Sequence, residues 1–270
     1  LANLPWETLH DASHDRFLAQ SVETSLVRYL DLANPIIPLS VQPPLRVLVL
    51  IASPNDLPSL DTEQEWRNLH KAVETLETQG RIILERLDEA TPTALQQKLR
   101  QQEYHVLHFI GHGTFDEQMQ NGILVLEDET NNGQFVNGET FGILLHNHTS
   151  LRLVVLNACA GARTACQDPF AGVAQTLIQQ SIPAVIAMQF AISDAAAATF
   201  SQEFYAALAD GYTVDSALTE ARVAMVTQGH TVEWVIPVLY MHAPDGRIFA
   251  IGESPEPCER PVNEIRPRWH

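Results

Sequence analysis

Two short segments of this 270-residue chain carry side chains able to do covalent chemistry under mild conditions: Gly111-His112-Gly113 and Ala158-Cys159-Ala160-Gly161. A thiol near its ordinary pKa of about 8.5 is only a few per cent thiolate at neutral pH. A neighbouring imidazole corrects this by ion pairing or by taking the proton during attack. Cys159 therefore reads either as a nucleophile or as a buried structural cysteine, since free cysteine is among the most buried residue types. His112 reads either as its base or as a satisfied turn histidine. The flanking glycines let the backbone turn sharply at the imidazole, and the small residues around the thiol would not block a substrate.

What must position them is an alternation of strands and helices. Leu45 to Ile51 is an unbroken apolar run between Pro43-Pro44 and Ser53-Pro54-Asn55-Asp56, which reads as a buried strand. Asp61 and Gln64 form a capping box for an amphipathic helix through Trp66, Leu69, Val73 and Leu76, with Gly80 as its stop. The pattern continues with strand Ile82 to Leu87, helix Pro92 to Gln102 and strand His105 to Ile110. A hairpin insertion follows, around Asp128 to Gly133, and then a short helix from Gly138 and strand Leu151 to Asn157. Asp168-Pro169 opens a helix with apolar Phe170, Val173, Ala174, Leu177 and Ile178. Strand Ala184 to Met188, helices Asp194 to Asp210 and Val214 to Gln228, and strand Pro237 to Met241 complete it. Strands alternating with helices predict an α/β three-layer αβα sandwich around a mostly parallel, six-stranded sheet. Ligands of such sheets meet the carboxyl ends of the strands, where His112 and Cys159 fall. Residues 1–252 read as one domain, with 1–44 packing on it as an N-terminal segment, and the proline-rich 253–270 as a tail or linker.

Composition narrows the partners. Sixteen basic residues, only Lys71 and Lys98 of them lysines, stand against 33 acidic ones for a formal charge of −17. This argues against nucleic acid and anionic membrane as partners. The longest apolar runs are too short to span a bilayer. Three cysteines, at 159, 166 and 258, make no CxxC pair and suit a reducing, cytoplasmic compartment. Cys166 reads as structural or incidental. The chain opens without Met and without a secretory layout, as a segment of a longer protein would. No P-loop, dinucleotide fingerprint, HExxH or GxSxG pattern occurs, so neither a cofactor nor a metal is expected. His146 and His148 read as solvent-facing.

An ordered set of motifs resembles the CHAT domain, a branch of the caspase-like (clan CD) cysteine peptidases. The set comprises Val106 to Gly113 (VLHFIGHG), Leu153 to Cys159 (LVVLNAC) and Pro183 to Phe190 (PAVIAMQF) leading to Ser193-Asp194. Leu4-Pro5-Trp6-Glu7, Asp61 to Leu69, Asp168-Pro169-Phe170 and Pro237 to Tyr240 support it. The resemblance implies a Cys–His dyad endopeptidase, with Cys159 attacking the scissile carbonyl, His112 moving the proton, and the amides of Gly113 and Cys159 forming the oxyanion hole. It also implies a basic P1 residue, the one preceding the cut bond, held by pocket acids for which Asp194, Asp168 and Asp56 are the candidates. Each has a structural alternative: Asp56 in a turn, Asp168 and Asp194 as helix caps. Ala160-Gly161-Ala162 and Ala191 depart from the family pattern, which often has a polar or acidic residue there. The resemblance further implies a protein or peptide substrate, control by a regulatory protein or flanking domain, and a bacterial-type signalling or defence setting. A catalytically silent docking module with the same fold is the alternative.

Overall fold

The computed structural model describes residues 4–33, 35–116, 121–158 and 169–252. Four short strands come first: β1 (His10–Asp11), β2 (Arg16–Phe17), β3 (Arg28–Tyr29) and β4 (Leu39–Val41). Then follow β5 (Leu45–Ile51), α1 (Thr62–Thr78), β6 (Ile82–Arg86), α2 (Pro92–Gln101), β7 (Val106–Asp116), β8 (Asn121–Glu127), β9 (Gly133–Asn137) and α3 (Gly138–His146). The remainder is β10 (Leu153–Ala158), α4 (Pro169–Gln179), β11 (Ala184–Met188), α5 (Asp194–Ala209), α6 (Val214–Thr227), β12 (Pro237–Met241) and β13 (Phe249–Ile251).

Strands buried on both faces read as continuous apolar runs, and LRVLVLI, LVVL and AVIAM are such runs. They lie in the middle of the main sheet, whose order is β3-β12-β11-β10-β7-β5-β6. From β6 to β11 every pairing is parallel, whereas β12 runs antiparallel to β11. One apolar layer packs beneath α1, α5 and α6 through residues such as Val73, Phe200, Phe204 and Leu218, and the other beneath α2, α3 and α4 through Leu95, Phe141, Phe170 and Leu177. At about 1.5–3 kcal/mol per fully buried large apolar side chain, these two layers supply the driving force that fixes the sheet. The three-layer αβα architecture is as expected from the alternation.

The sheet has nine strands rather than six. The expected six form its continuous centre, β6-β5-β7-β10-β11-β12, and three additions explain the difference. The edge strand β3 is two residues long and too short to leave a pattern. The hairpin β8–β9 joins because β7 does not stop at Ile110. It continues through Gly111-His112-Gly113 to Asp116 and pairs there with β8, His112 opposite Val125. The glycines therefore mark no sharp turn. Gly111 is required by a close approach, since a Cβ there would lie 2.7 Å from Cζ of Phe109 and 3.3 Å from the Ala52 carbonyl. Elsewhere the local chemistry follows the sequence. Asp61 accepts from the Gln64 amide at 2.9 Å to start α1, and Gly211 and Gly229, at φ +85° and +93°, end α5 and α6.

The opening segment is tied to the sheet edge by a buried charge network. Glu7 is fully buried and lies 3.4 Å from the Arg28 guanidinium, which also donates to the Tyr240 hydroxyl at 2.9 Å. Arg222, 1% exposed, donates to the Pro237 carbonyl at 2.7 Å. Burial draws its pKa down to about 10, with Glu7 acting against that shift and Arg28 with it. Glu7→Gln would leave two buried guanidinium groups without their carboxylate. It is expected to cost roughly 3–5 kcal/mol in urea denaturation, against less than about 0.5 kcal/mol for the exposed Glu23→Gln.

Candidate active site

The parallel pairing of β7 and β10 sets the geometry, with Ile110 opposite Asn157 and Gly111 opposite Ala158. His112 is the next residue on one strand, and Cys159 follows Ala158 in the sequence. Cys159 itself lies outside the described residues, as do Asp168, Cys166 and the 253–270 tail. His112 is 3% exposed, and its Nε2 is 2.8 Å from the carbonyl of Pro58. A carbonyl only accepts, so Nε2 carries the proton and Nδ1 keeps the lone pair, the tautomer a general base needs.

Pro58 sits on the loop that follows β5, and that loop is held at several points. The Ser53 amide donates to Glu127 at 2.7 Å, and the Asn55 amide donates to the Asn131 carbonyl at 2.8 Å. Asp56 accepts from the Gly133 amide at 2.7 Å. The structure thus puts Asp56 on the hairpin turn, where its carboxylate clamps the loop that orients His112.

Successive strand residues alternate faces, so His108, Ile110 and His112 share the side covered by α1 and α5. On that side lies a small recess of about 20 Å³ lined by Glu65, Asn68 and Leu69 from α1, His108 and Ile110 from β7, Asn157 from β10, and Asp194, Ala197, Ala198 and Ser201 from α5. The three small residues of α5 leave the space open. Asp194 is exposed at the first turn of α5 and accepts from Asn68 at 3.2 Å, while the N-cap is Ser193. Of the three acidic candidates, Asp194 lines this recess and Asp56 does not.

Three lining residues were not anticipated as parts of a site: Glu65, Asn157 and His108. Asn157 is 6% exposed and its Oδ1 has no partner among the described residues. His108 is 1% exposed, with Nδ1 at 2.8 Å from the hydroxyl of fully buried Tyr205. Among the described residues that O–H has no other acceptor, so it donates to Nδ1 and leaves the ring proton on Nε2, which has no partner among them. Two histidines four positions apart on one face of otherwise apolar β7, His108 and His112, are the signal that would have found His108.

A central, mostly parallel sheet sandwiched by helices, with an imidazole at the carboxyl end of one strand beside the end of its neighbour, defines a three-layer α/β protein with its candidate site at the strand ends. The CHAT domain family model matches residues 1–256, and the chain belongs to that family. Among solved structures it is similar to the Saccharomyces cerevisiae separase–securin complex, at 16% identity and a TM-score of 0.44, covering 76% of this chain and 12% of that one. It is also similar to the Arg-specific cysteine proteinase gingipain R, at 14% identity and a TM-score of 0.47, covering 77% of this chain and 47% of that one. The chain thus spans less than half the length of either. No curated relative matches. Among the described residues no helix is long and apolar enough to cross a membrane.

Burial makes His108 and His105 resist protonation. His108 is pushed down to about 3 by desolvation, and His105, at the other end of β7, to about 4 by desolvation and by Arg46. The unfolded chain takes up these protons near pH 6.5 and the folded chain does not. Their contribution to stability is therefore complete above that pH and is lost as pH falls toward 4 and 3. Urea midpoints should drop from pH 6.5 to 4. His108→Asn should flatten that slope by up to about 1.4 kcal/mol per pH unit, one proton's worth; an unchanged slope would show that His108 is not held neutral.

Proposed function

We propose that this chain is a cysteine endopeptidase that cuts a protein substrate after a basic residue. The observation that carries the reading is the His112–Pro58 hydrogen bond at the strand end, which fixes the basic tautomer of an imidazole one register position beyond the Gly111–Ala158 pair. In this mechanism Nδ1 takes the Cys159 proton as sulfur attacks the scissile carbonyl carbon. The oxyanion is met by the amides of Gly113 and Cys159. His112 then gives the proton to the leaving amine, and water, activated by the same imidazole, releases the acyl group.

The basic P1 preference rests on the recess between α1 and α5, on the face of β7 that carries His112. Asp194 and Glu65 offer carboxylates, and Asn157 Oδ1 an unpartnered acceptor, to a side chain that can only donate. Asp168 remains a further candidate for the same role. Control by a regulatory protein or flanking domain and a cytoplasmic setting belong to the same proposal.

The test is a mass-spectrometric cleavage screen on a proteome-derived peptide library. New termini sharing Arg or Lys at P1 are expected with the wild-type chain. Cys159→Ala and His112→Ala should each lower turnover by at least about 10⁴-fold with the fold intact, because dyad members act as a unit. Asp194→Asn should lower kcat/KM for basic P1 substrates by about 10- to 100-fold. Retained turnover in Cys159→Ala would overturn the mechanism. Digests identical to the buffer control, both for this chain and for the full-length protein, would favour the docking module.

A further inference from the structure

At the end of the sheet opposite His112 lies a second, larger recess of about 400 Å³, between the end of α3, the start of β10, the turn after α4 and the residue following β12. Its lining contains Arg152, His146, His148 and His242, and among the described residues no aspartate or glutamate, on a chain whose formal charge is −17. Arg152 is half-buried, with Nε shut off from solvent and without a partner, and among the described residues it makes no ion pair. An unpaired guanidinium held in this way is costly, and desolvation lowers its pKa accordingly. His242 is 3% exposed and its Nδ1 is likewise unpartnered. His148 is half-buried rather than solvent-facing, and its pKa is lowered by burial and by the nearby charge of Arg100. Asp31 acts on His242 as a carboxylate outside the lining. Among the described lining residues Arg152 is the permanent cation, with the imidazoles of His148 and His242 as neutral donors, and the recess has the volume of a small-molecule site.

We propose that this recess binds a small organic phosphate of mononucleotide size. The phosphate sits on the Arg152 guanidinium with the imidazoles of His148 and His242 as further donors, and the organic part lies against Ile36, Leu145 and Ile182. A guanidinium fork flanked by neutral imidazole donors suits a phosphate oxyanion, and the apolar wall distinguishes an ester from the free ion. The inference stands apart from the peptidase reading, because none of these residues is near His112.

The experiment is isothermal titration of this chain with adenosine 5′-monophosphate, inorganic phosphate and adenosine at fixed ionic strength. The nucleotide should bind saturably at one site and more tightly than inorganic phosphate, and adenosine should give no heat. Arg152→Gln should weaken the nucleotide by about 10- to 100-fold, and His242→Gln by several-fold, as expected for charge-assisted and neutral hydrogen bonds. Without ligand, Arg152→Gln should melt no lower than wild type, since it removes an uncompensated charge. If that variant does not fold, Arg152→Lys keeps the charge, loses the fork and should still bind several-fold more weakly. No binding of the nucleotide at millimolar concentration, binding undiminished by the Arg152 variants, or inorganic phosphate binding as tightly as the nucleotide would overturn the proposal.

Discussion

Parallel pairing along β6-β5-β7-β10-β11 is the constraint on which the rest of this molecule depends. Parallel strands cannot be joined by tight turns, so each must be followed by a crossover, and each crossover helix must find an apolar face to cover. That requirement accounts for the helices on both sides and for the near absence of polar residues in the central strands. It also brings all the carboxyl ends of these strands to one edge. His112 and the end of β10 meet there because the register of β7 against β10 leaves no alternative.

Within that frame, the polar residues that interrupt the apolar strands each have an assignment. His105 accepts from the Arg46 amide at 2.9 Å and so joins β7 to β5 at the amino end. His108 is held by Tyr205, His112 by Pro58, and Asn157 faces the recess between α1 and α5. The hairpin β8–β9 serves the same edge from outside. Its turn and its β8 carboxylate Glu127 grip the loop carrying Pro58, so the orientation of the imidazole is set by residues distant in sequence from it.

Much of this is legible in the residues alone, for identifiable reasons. The six central strands are read from β-branched and leucine runs, the start of α1 from Asp61, which caps it, and the ends of α1, α5 and α6 from glycines that take positive φ; α5 is capped by Ser193 rather than Asp194, and α6 has no side-chain cap bond among the described residues. What is not legible depends on partners remote in sequence. The extension of β7 past Gly111 is dictated by β8, and the two-residue β3 by its neighbour β12. The role of Asp56 follows from Gly133, 77 positions away. Glu65 comes to the recess because α1 packs beside α5, which no spacing within α1 announces. Glu7, in a segment without regular pattern, is buried because Arg28 and Arg222 converge on it.

The order in which the strands leave the ribosome adds a consequence in time. The contact between His112 and Pro58 needs β5, β7, the loop between them and the β8–β9 hairpin that holds both, all of which precede residue 138. β10 ends at Ala158 and is made later, by roughly one to four seconds at about 5–20 residues per second. Its pairing with β7 must then close a long loop, an event that is slow because the entropy is lost before any contact rewards it. A nascent chain thus holds an oriented imidazole while the neighbouring strand is still missing. The two halves of the edge come together only once most of the domain has been synthesised.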